Sequence, residues 1–583
     1  MMFFARSAGP HAGMPASVWR DFKPNRYDAA AIGILLAILI AFAHASRQMA
    51  QPLAVLDAAP VSLSVWRLPE YALSSTLRMF AAIVISLLFT FTVATFAAKS
   101  RRAEQVIIPA LDILQSVPVL GFLTFTVMFF MGLFPGSRLG AELAAIFAIF
   151  TSQAWNMAFS LYQSLKTLPA ELDEVSRHFR LSAWMRFWRV EAPFAAPGLI
   201  WNTMMSMSGG WFFVVASEAI TVGNTGVHLP GIGSYLALAI EQRDLAAVAF
   251  AIGAMAVVIL LYDQLVFRPI VAWSDKFRAE QTMSSERPRS WAYDVVRRTR
   301  LLRAIARVWR EASGLVGRLL VRGGRLLSRM PDTAASRWTD AAWHAVLVAV
   351  VGWGLWVALA YIRAHLDAAD FASAFISGLA TLARVITLIG LASLIWVPVG
   401  VWIGLRPWAT ERIQPFAQFL AAFPANVLFP LFVVGIATYG LNPNVWLSPL
   451  MILGTQWYIL FNVIAGASAF PNDLKDAAVL MRAKGWQWWR KVILPGILPY
   501  YVTGALTATG GSWNASIVAE VASWGSTKLE ATGLGAYIAK ATEAGDMPRV
   551  ILGIMTMSAF VVLFNRLLWR RLYAFGERRL RFD

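Results

Sequence analysis

The sequence predicts an all-α polytopic membrane protein with about 12 transmembrane helices, arranged as two parallel six-helix repeats. Three observations lead to this fold class. Hydrophobic residues make up 58% of the 583 residues and charged residues only 14%, whereas soluble proteins are usually nearer a quarter charged. Apolar runs long enough to cross a bilayer recur along the chain. In addition, the second half of the chain repeats the first.

Each predicted span is a mostly apolar run close to the roughly 20 residues that a helix needs to cross the hydrocarbon core. The 25 Trp and 37 Phe suit helices whose ends lie at membrane interfaces. The predicted spans are 29–45, 72–98, 106–132, 141–163, 193–220, 246–267, 341–363, 373–404, 413–437, 445–467, 493–522 and 549–569.

Basic residues predict which side of the membrane each connection faces, because cytoplasmic loops are enriched in Lys and Arg. With a cytoplasmic N-terminus, the inside segments 169–191 and 471–493 are rich in basic residues. The outside connection 221–245 holds one basic residue, Arg243, and the connection 438–444 holds none. We therefore expect both chain termini in the cytoplasm.

The net charge of +18 and the absence of cysteine exclude several classes of function. Binding to nucleic acid needs a basic face on a soluble fold, but here the charge falls between apolar runs, so we expect lipid and not nucleic acid as the partner. Without cysteine there is no disulfide and no thiolate metal site or nucleophile. The six His show no metal spacing, and no G-x-x-x-x-G-K-[ST] phosphate loop is present. We predict no catalytic residue, no metal site and no cofactor in this chain.

The internal repeat aligns residue n with residue n+302 over roughly a hundred residues without a gap, and with n+306 further upstream. It predicts a first repeat at 29–274 and a second at 341–583. Six spans per repeat is an even number, so both repeats enter from the same side and share a pathway at their interface. Matched pairs are Arg180 and Arg482, Trp211 and Trp513, Glu218 and Glu520, Arg78 and Arg384, and Pro118 and Pro424.

Two polar segments occupy matching positions, "PAELDEVSRHFRLSAWMRFWRVE" at 169–191 and "PNDLKDAAVLMRAKGWQWWRKVI" at 471–493. Their first residues place apolar side chains at helical spacing, with acidic residues early, where the helix dipole favours negative charge. Each segment predicts a short amphipathic helix outside the membrane. One alternative is a helix lying on lipid. Matching features in both copies favour docking to a protein groove.

These segments resemble the cytoplasmic "EAA" coupling loop of ABC-importer permeases. Asp476-Ala477-Ala478 with "VILP" at 492–495 is the better match, and Glu174-Val175-Ser176 with "VEAP" at 190–193 is the degenerate one. The glycine that the family carries six positions after the acid is replaced by Arg180 and Arg482. "WFFVVASE" with "GIGSYL" and "WNASIVAE" with "GLGAYI" resemble the nitrate/sulfonate/taurine-type branch, as do "YDQLVFRPI" at 262–270 and "FNRLLWRRL" at 564–572.

The resemblance implies a type I ABC-importer permease fold in which two permease units, normally separate chains, are fused. It implies a multi-pass component of the bacterial inner membrane that moves a small, anionic solute. The chain is then a transport component and not an enzyme, with Mg-ATP hydrolysed on two cytoplasmic ATPase subunits. A periplasmic substrate-binding protein is a possible further partner. The residues expected to couple to the ATPases are Glu171, Glu174, Val175, Ser176, Arg180, Asp473, Asp476, Ala477, Ala478, Arg482 and Gly485.

Candidate pathway residues are ionisable, aromatic or next to proline within the spans. The glutamates are functional candidates by their position in a span, and the alternative is solvation at the interface or bonding to a backbone amide. The arginines attract an anion or, alternatively, extend to lipid headgroups. The paired tryptophans fit packing better than a substrate stack. The candidates are Arg78, Gln115, Ser116, Trp211, Glu218, Arg384, Phe423, Trp513 and Glu520.

Two basic segments lie outside the repeats. Residues 1–28 carry Arg and Lys without the apolar core of a signal peptide, so we expect a cytoplasmic tail. The linker 275–340 holds 15 Lys or Arg against 7 Asp or Glu, and its stretch 295–330 alternates apolar and Arg positions. This pattern predicts an amphipathic stretch on the anionic inner leaflet. A solvated tether and a regulatory contact with the ATPases are the alternatives.

Two other classes of function also fit a repeated membrane protein. A secondary transporter with six-plus-six parallel repeats would draw on an ion gradient and needs ionisable relays deep in the spans, of which the sequence shows few. A lipid-handling ABC membrane component would use the same ATPases. Neither the identity of the solute nor the direction of transport follows from the sequence.

Overall fold

The computed structural model of the chain is almost entirely helical. It describes residues 61–572 except 117–118, 180, 223–224, 278–289, 300–336, 469, 471–479, 481, 483 and 570, together with a few scattered residues between 28 and 47. The predicted span 29–45, the tail 1–28 and most of the linker 275–340 therefore lie largely outside the described residues.

The described residues of the first repeat form ten helices, and those of the linker include α11 (Trp291–Arg298). The helices of the first repeat are α1 (Leu68–Lys99), α2 (Arg101–Ser116), α3 (Val119–Leu133), α4 (Arg138–Lys166), α5 (Ala170–His178), α6 (Ala183–Arg186), α7 (Ala192–Glu218), α8 (Ile232–Glu241), α9 (Leu245–Tyr262) and α10 (Arg268–Ser274).

The second repeat follows the same order. Its helices are α12 (Arg337–His365), α13 (Ala368–Gly404), α14 (Pro407–Ala422), α15 (Phe429–Thr438), α16 (Pro443–Trp446), α17 (Ser448–Leu453), α18 (Gln456–Ser468), α19 (Trp486–Trp488), α20 (Leu494–Ala519), α21 (Leu534–Glu543) and α22 (Met547–Phe564).

Seven of the described helices are long and apolar enough to cross a membrane, and two bent pairs raise that number to 9. These nine correspond to nine of the predicted spans. The predicted spans 106–132 and 193–220 are also helical, as α2 with α3 and as α7. The prediction of an all-α polytopic chain is confirmed.

Proline breaks bend the third span of the second repeat. Helix α14 ends at Ala422, and a 3₁₀ turn at Ala425–Leu428 leads into α15. The two parts meet at 79°. Pro424 has no N–H to continue the helical hydrogen bonds, so the chain turns there. A second break follows Leu453, where α16 and α17 meet α18 at 44°. The corresponding α4 of the first repeat is one continuous helix.

A β-hairpin and a short helix follow the fifth span of each repeat, and the sequence analysis missed both. Strands β1 (Ala219–Val222) and β2 (Thr225–His228) pair antiparallel and precede α8. Strands β3 (Val521–Trp524) and β4 (Thr527–Glu530) do the same before α21. Strands of four residues carry too little alternation to be recognised from sequence.

Single π-helical turns occur at matching positions of the two repeats. One pair, Phe187–Glu191 and Trp489–Ile493, leads from the polar segment into the fifth span. The other pair, Asp263–Phe267 and Asn565–Trp569, ends the sixth span. All four keep the 302-residue offset. Such turns are rare and frequently lie at functional sites.

Small residues allow the spans to pack closely. On α13, a Cβ atom at Gly400 would lie 2.8 Å from Val463 Cγ1, and one at Gly404 would lie 2.6 Å from the Ile464 carbonyl oxygen. Both glycines therefore hold α13 against α18, with the four-residue spacing that small residues take at helix interfaces in membranes.

The described residues form two compact units, and neither is a single repeat. One consists of the described residues within 1–43, 169–193 and 264–333, and therefore contains the first polar segment. The other consists of 44–168, 194–263 and 334–583 and contains membrane helices of both repeats.

Candidate functional site

Helices of both repeats enclose a cavity of about 760 Å³ within the larger unit. From the first repeat, α4 and α7 contribute lining residues, and from the second α18, α20 and α22 contribute. The lining is rich in neutral hydrogen-bonding side chains: Thr151, Ser152, Asn156, Ser160, Gln163, Asn202, Ser206, Ser208, Thr455, Tyr458, Thr503, Thr507, Asn514 and Asn565. The cavity can bind a small polar solute by hydrogen bonds.

The charge of the lining is of one sign. Among its described residues there is no Asp or Glu, and Arg566 is the one charged side chain. An anion in this cavity meets no like charge from the lining, whereas a cation meets no carboxylate to offset the loss of its hydration.

Two hydrogen bonds join the repeats beside the proline breaks. The Asn514 side-chain oxygen accepts from the Val119 backbone N–H at 2.7 Å, and the Asn426 amide donates to the Phe212 carbonyl oxygen at 3.0 Å. Asn514 and Phe212 are matched by the 302-residue offset. Val119 at the start of α3 and Asn426 before α15 therefore each contact the fifth span of the other repeat at the edge of the cavity.

A third contact between repeats involves the second hairpin. The Gly525 backbone N–H donates to the Ile240 carbonyl oxygen at 2.9 Å, at the end of α8. Gly525 has φ +57, and a Cβ there would meet the Arg243 side chain at 2.2 Å. Only glycine fits both the left-handed backbone and this close approach.

A buried ion network lies in the first repeat, outside the cavity lining. Arg78 donates from Nε and Nη2 to both oxygens of Glu142, at 2.6 and 2.9 Å, and from Nη1 to Glu218 at 2.6 Å. All three side chains are fully buried. Arg138 adds a second cation to Glu142 at 2.9 Å. Charges removed from water in this way need such complete pairing.

Glu218 also binds the start of α8. Its second oxygen accepts from the Gly233 backbone N–H at 2.7 Å, and the Ser75 hydroxyl accepts from the Ile232 N–H at 3.0 Å. Negative charge at a helix N-terminus satisfies N–H groups that have no partner within the helix. The network therefore joins α1, α4, α7 and α8.

The second repeat holds a reduced copy of this network. Glu520 accepts from Arg384 at 3.0 Å and from Thr381 at 2.8 Å, and Thr381 accepts from the Leu534 N–H at 2.8 Å. Asn444 stands in the position of Glu142 and accepts from Arg384 Nη2 at 3.0 Å. The second network therefore has one cation and one carboxylate, and the Arg384 side chain is 13% exposed.

These networks explain several predicted pathway residues as structural groups. Arg78 is fully buried, so its guanidinium does not extend to lipid headgroups, which was one interpretation of this residue. Glu218 bonds to a backbone amide, which was one interpretation of the glutamates. Trp211 and Trp513 are 1% exposed and pack on Tyr262 and Phe560. A role of these residues in the pathway remains a prediction.

Phe423 is the predicted pathway residue that lines the cavity. Arg78, Trp211, Glu218, Arg384, Trp513 and Glu520 are not among the described lining residues. Gln115 and Ser116 lie at the end of α2, and their side chains are outside the described part of the chain. Sequence reasoning missed Asn426, Asn514 and Arg566, although Asn514 lies in the quoted "WNASIVAE" and Arg566 in "FNRLLWRRL".

The first polar segment forms the amphipathic helix α5, as the sequence predicts. Glu171, Glu174 and Val175 are exposed, and Ser176 is buried with its hydroxyl on the Asp173 carbonyl oxygen. The Val175 and Phe179 side chains are 48% and 53% exposed. These exposed apolar side chains form a small face that a protein partner can cover.

Ion pairs connect α5 to the turn that follows it. Arg186 lies 2.7 Å from Asp173 and 2.8 Å from Glu191, so one guanidinium bridges the helix and the π-helical turn. The second repeat has Lys475, Trp488 and Ile493 at these positions, so it lacks all three partners.

In the second polar segment, Asp473, Asp476, Ala477 and Ala478 lie outside the described residues, as does Arg180 in the first. Arg482 is described and has φ +50. This is the left-handed conformation that glycine adopts most easily, and the resemblance to the coupling loop predicts a glycine at this position. Gly485 also has positive φ, +56, and begins the short helix α19.

Comparisons with known proteins now define the class. The family described as binding-protein-dependent transport system inner membrane component matches the chain twice, at residues 86–268 and 396–582. The chain belongs to this family of ABC transporter permeases, and its two matches show two permease units in one chain. The fold, the spans and the family agree that it is a multi-pass membrane transport component.

Individual relatives are similar to about a third of the chain. The bicarbonate transport system permease protein CmpB of Synechococcus elongatus is 31% identical over 189 residues, 32% of this chain and 64% of the relative. The nitrate import permease protein NrtB of Leptolyngbya laminosa is 27% identical over 188 residues, 32% and 64% of the two chains. A probable ABC transporter permease protein of Brucella abortus is 27% identical over 205 residues, 34% and 77%. The chain thus spans 64% of the length of the bicarbonate and nitrate permeases.

Proposed function

We propose that the chain is the permease of an ABC importer that moves a small anion across the bacterial inner membrane. The observation that carries this proposal is the cavity lined by both repeats, whose described lining has many neutral hydrogen-bonding groups, one guanidinium and no carboxylate. This lining suits a small hydrophilic anion such as bicarbonate or nitrate. The printed functions of two relatives, bicarbonate transport and nitrate import, support the same class of solute.

Energy comes from ATPase subunits on two separate chains, each holding Mg-ATP. The first docks on α5 through the exposed Val175, Glu171 and Glu174, with the buried Ser176 and with Arg180 as further residues of the same segment. The second docks on the matching segment with Asp473, Asp476, Ala477, Ala478, Arg482 and Gly485. The exposed side chains of Val175 on α5 and of Phe179 directly after it support this role, because apolar surface without a cover is costly in water. Both segments and both chain termini lie in the cytoplasm.

The transport cycle exposes the cavity to each side of the membrane in turn. The hydrogen bonds at Asn514 and Asn426 hold the two repeats together beside the proline breaks, and their separation opens that side. ATP-driven approach of the two ATPases moves the coupling helices, and the π-helical turns at 187–191 and 489–493 carry that movement into the fifth spans. A periplasmic binding protein delivers the solute, and the basic linker 275–340 lies on anionic lipid.

Reconstitution tests this proposal. The chain, co-purified with its ATPases, is placed in proteoliposomes with the binding protein outside, and uptake of labelled bicarbonate and nitrate is measured with and without internal ATP. ATP-dependent uptake of either anion supports the proposal. Uptake by the chain alone, driven by a proton gradient, would show a secondary transporter. ATP-dependent movement of labelled phospholipid without uptake of either anion would show a lipid-handling component.

A further inference from the structure

We propose that Arg566 and Trp569, on the π-helical turn that follows α22, form a site in the cavity that selects a monovalent oxyanion. This inference rests on the proposed function, because it names the group that recognises the solute. Both residues line the cavity and both belong to the π-helical turn Asn565–Trp569. Two residues lie between them, so both side chains project from the same turn of the chain.

The guanidinium of Arg566 has no carboxylate partner in the described part of the chain, whereas Arg78 and Arg384 are each paired. Its side chain is exposed and it is the one charged group among the described lining residues. A guanidinium presents several donors in a planar fork, a geometry that matches the oxygens of bicarbonate or nitrate.

The indole N–H of Trp569 supplies a further donor without an acceptor. The residue is 4% exposed, and its Nε1 atom has no hydrogen-bond partner among the residues that the structure describes. Its ring packs edge-on against Tyr501 and Phe564, at centroid distances of 6.4 and 6.2 Å. A buried donor held in place by packing and left unpaired costs free energy until an acceptor arrives.

The turn that carries Arg566 and Trp569 has the same backbone conformation in both repeats but different side chains. The matching turn of the first repeat reads Asp263-Gln264 with Phe267, where the second reads Asn565-Arg566 with Trp569. Both turns are π-helical, so the backbone does not require the change. Compared with the turn of the first repeat, the turn of the second lacks a carboxylate and has a guanidinium and an indole N–H in addition. All three differences favour the binding of an anion.

Cysteine labelling measures this site without knowledge of the natural solute, because the chain has no native cysteine. Val562→Cys places a thiol on the cavity lining four residues before Arg566, and Thr507→Cys places a second one on α20. The full chain in nanodiscs is reacted with anionic sulfonatoethyl methanethiosulfonate and with its cationic trimethylammonioethyl counterpart. Thr438→Cys, at an exposed position away from the lining, is the control.

We expect the anionic reagent to react on the order of fivefold faster than the cationic one at Val562→Cys, relative to the control, because a lone cation in a cavity raises the local anion concentration. Arg566→Gln, which copies the first repeat, abolishes this preference, and Arg566→Lys retains it. Nitrate or bicarbonate at constant ionic strength slows the anionic reagent in the parent. Trp569→Phe, which also copies the first repeat, weakens that protection but keeps the charge preference.

An equal charge preference with and without the Arg566→Gln substitution, at both cysteine positions, would overturn the site. Undiminished protection by nitrate and bicarbonate after loss of both side chains would also overturn it. This result is independent of the transport assay. ATP-driven anion uptake with no effect of Arg566→Gln on the labelling keeps the proposed function and rejects the site. Charge preference without any ATP-driven uptake keeps the site and rejects the proposed function.

Discussion

The carboxylate of Glu218 lies directly against the backbone of Gly231. A Cβ atom at this glycine would meet the Glu218 carboxyl carbon at 2.2 Å. The second repeat repeats the relationship, since a Cβ at Gly533 would meet the Glu520 carboxylate at the same distance. The close approach lets each carboxylate reach the first N–H groups of the following helix, so the glycine and the acid are required together.

Replacement of Gly231 by alanine is therefore expected to destabilise the chain by about 1–3 kcal/mol, because the network must shift to make room. The measurement is the midpoint of thermal unfolding in nanodiscs. Gly253 is the matched control, since nothing lies within 4 Å of a Cβ added there. Gly253→Ala should be neutral or slightly stabilising, and an equal loss in both variants would contradict the steric argument.

The two networks predict different costs for the loss of their arginines. Arg78→Ala leaves Glu218 and Glu142 buried with Arg138 as the remaining cation, so we expect a loss of about 3–5 kcal/mol. Arg384→Ala leaves one carboxylate, still bonded to Thr381 and to the Ala536 N–H, and we expect about 1–3 kcal/mol. Chemical or thermal unfolding of both variants in nanodiscs compares them. A larger loss for Arg384→Ala would show that the reduced network is not the weaker one.

Much of this architecture follows from the sequence. Hydropathy gives the spans, the 302-residue offset gives the repeats, and the helical spacing of Leu172, Val175 and Phe179 gives α5. These signals are local or periodic. They are also easier to recognise in a membrane protein, because a span must hydrogen-bond its own backbone groups and therefore forms a helix. The proline at 424 likewise marks the break before α15.

Neither the buried ion network nor the contacts at the edge of the cavity follow from the sequence, because both join residues far apart along the chain. Arg78 and Glu218, which form an ion pair, are 140 residues apart in the sequence, and the hydrogen-bonded Asn514 and Val119 are 395 residues apart. A single sequence contains no sign of such pairings. The internal repeat offered one clue: Arg78, Glu218 and Gly231 each have an identical partner in the second repeat, which indicates a shared structural constraint more than a solute site.

The hydrogen bonds that join the repeats are expected to differ in importance. Asn514→Ala leaves the Val119 N–H at the start of α3 without its acceptor, whereas after Asn426→Ala the Phe212 carbonyl still lies within the helical hydrogen bonds of α7. We expect Asn514→Ala to cost about 1–3 kcal/mol and Asn426→Ala less than about 1. Thermal unfolding measures both. A larger loss of stability in Asn426→Ala would show that the Phe212 carbonyl, and not the Val119 N–H, is the group that needs its partner in the other repeat.

The backbone at Arg482 predicts a stabilising substitution. A non-glycine residue at φ +50 is strained, at a cost of roughly 1–2 kcal/mol. Arg482→Gly restores the residue of the family motif and relieves this strain, partly offset by the greater freedom of glycine in the unfolded chain. We expect slower amide hydrogen exchange in residues 484–493. Arg482→Ala is the control, because it removes the charge but keeps the backbone strain. If amide exchange in residues 484–493 slows equally in both variants, the loss of the charge and not the relief of strain is the cause.

A carboxylate near the start of α2 predicts a specific pH dependence. Glu104 accepts from Lys166 at 2.8 Å and from Tyr162 at 2.5 Å, and these hydrogen bonds, that of Lys166 first, lower the pKa of Glu104. Its stabilising effect is complete above the unfolded pKa of about 4.3 and disappears as the pH falls through the lower folded value. The unfolding midpoints of the parent and Glu104→Gln should therefore differ at pH 7 and converge on acidification. Lys166→Met should show the same convergence and the double variant no further loss, whereas a difference that persists at the lowest pH would show that packing, and not the charge of Glu104, stabilises this contact.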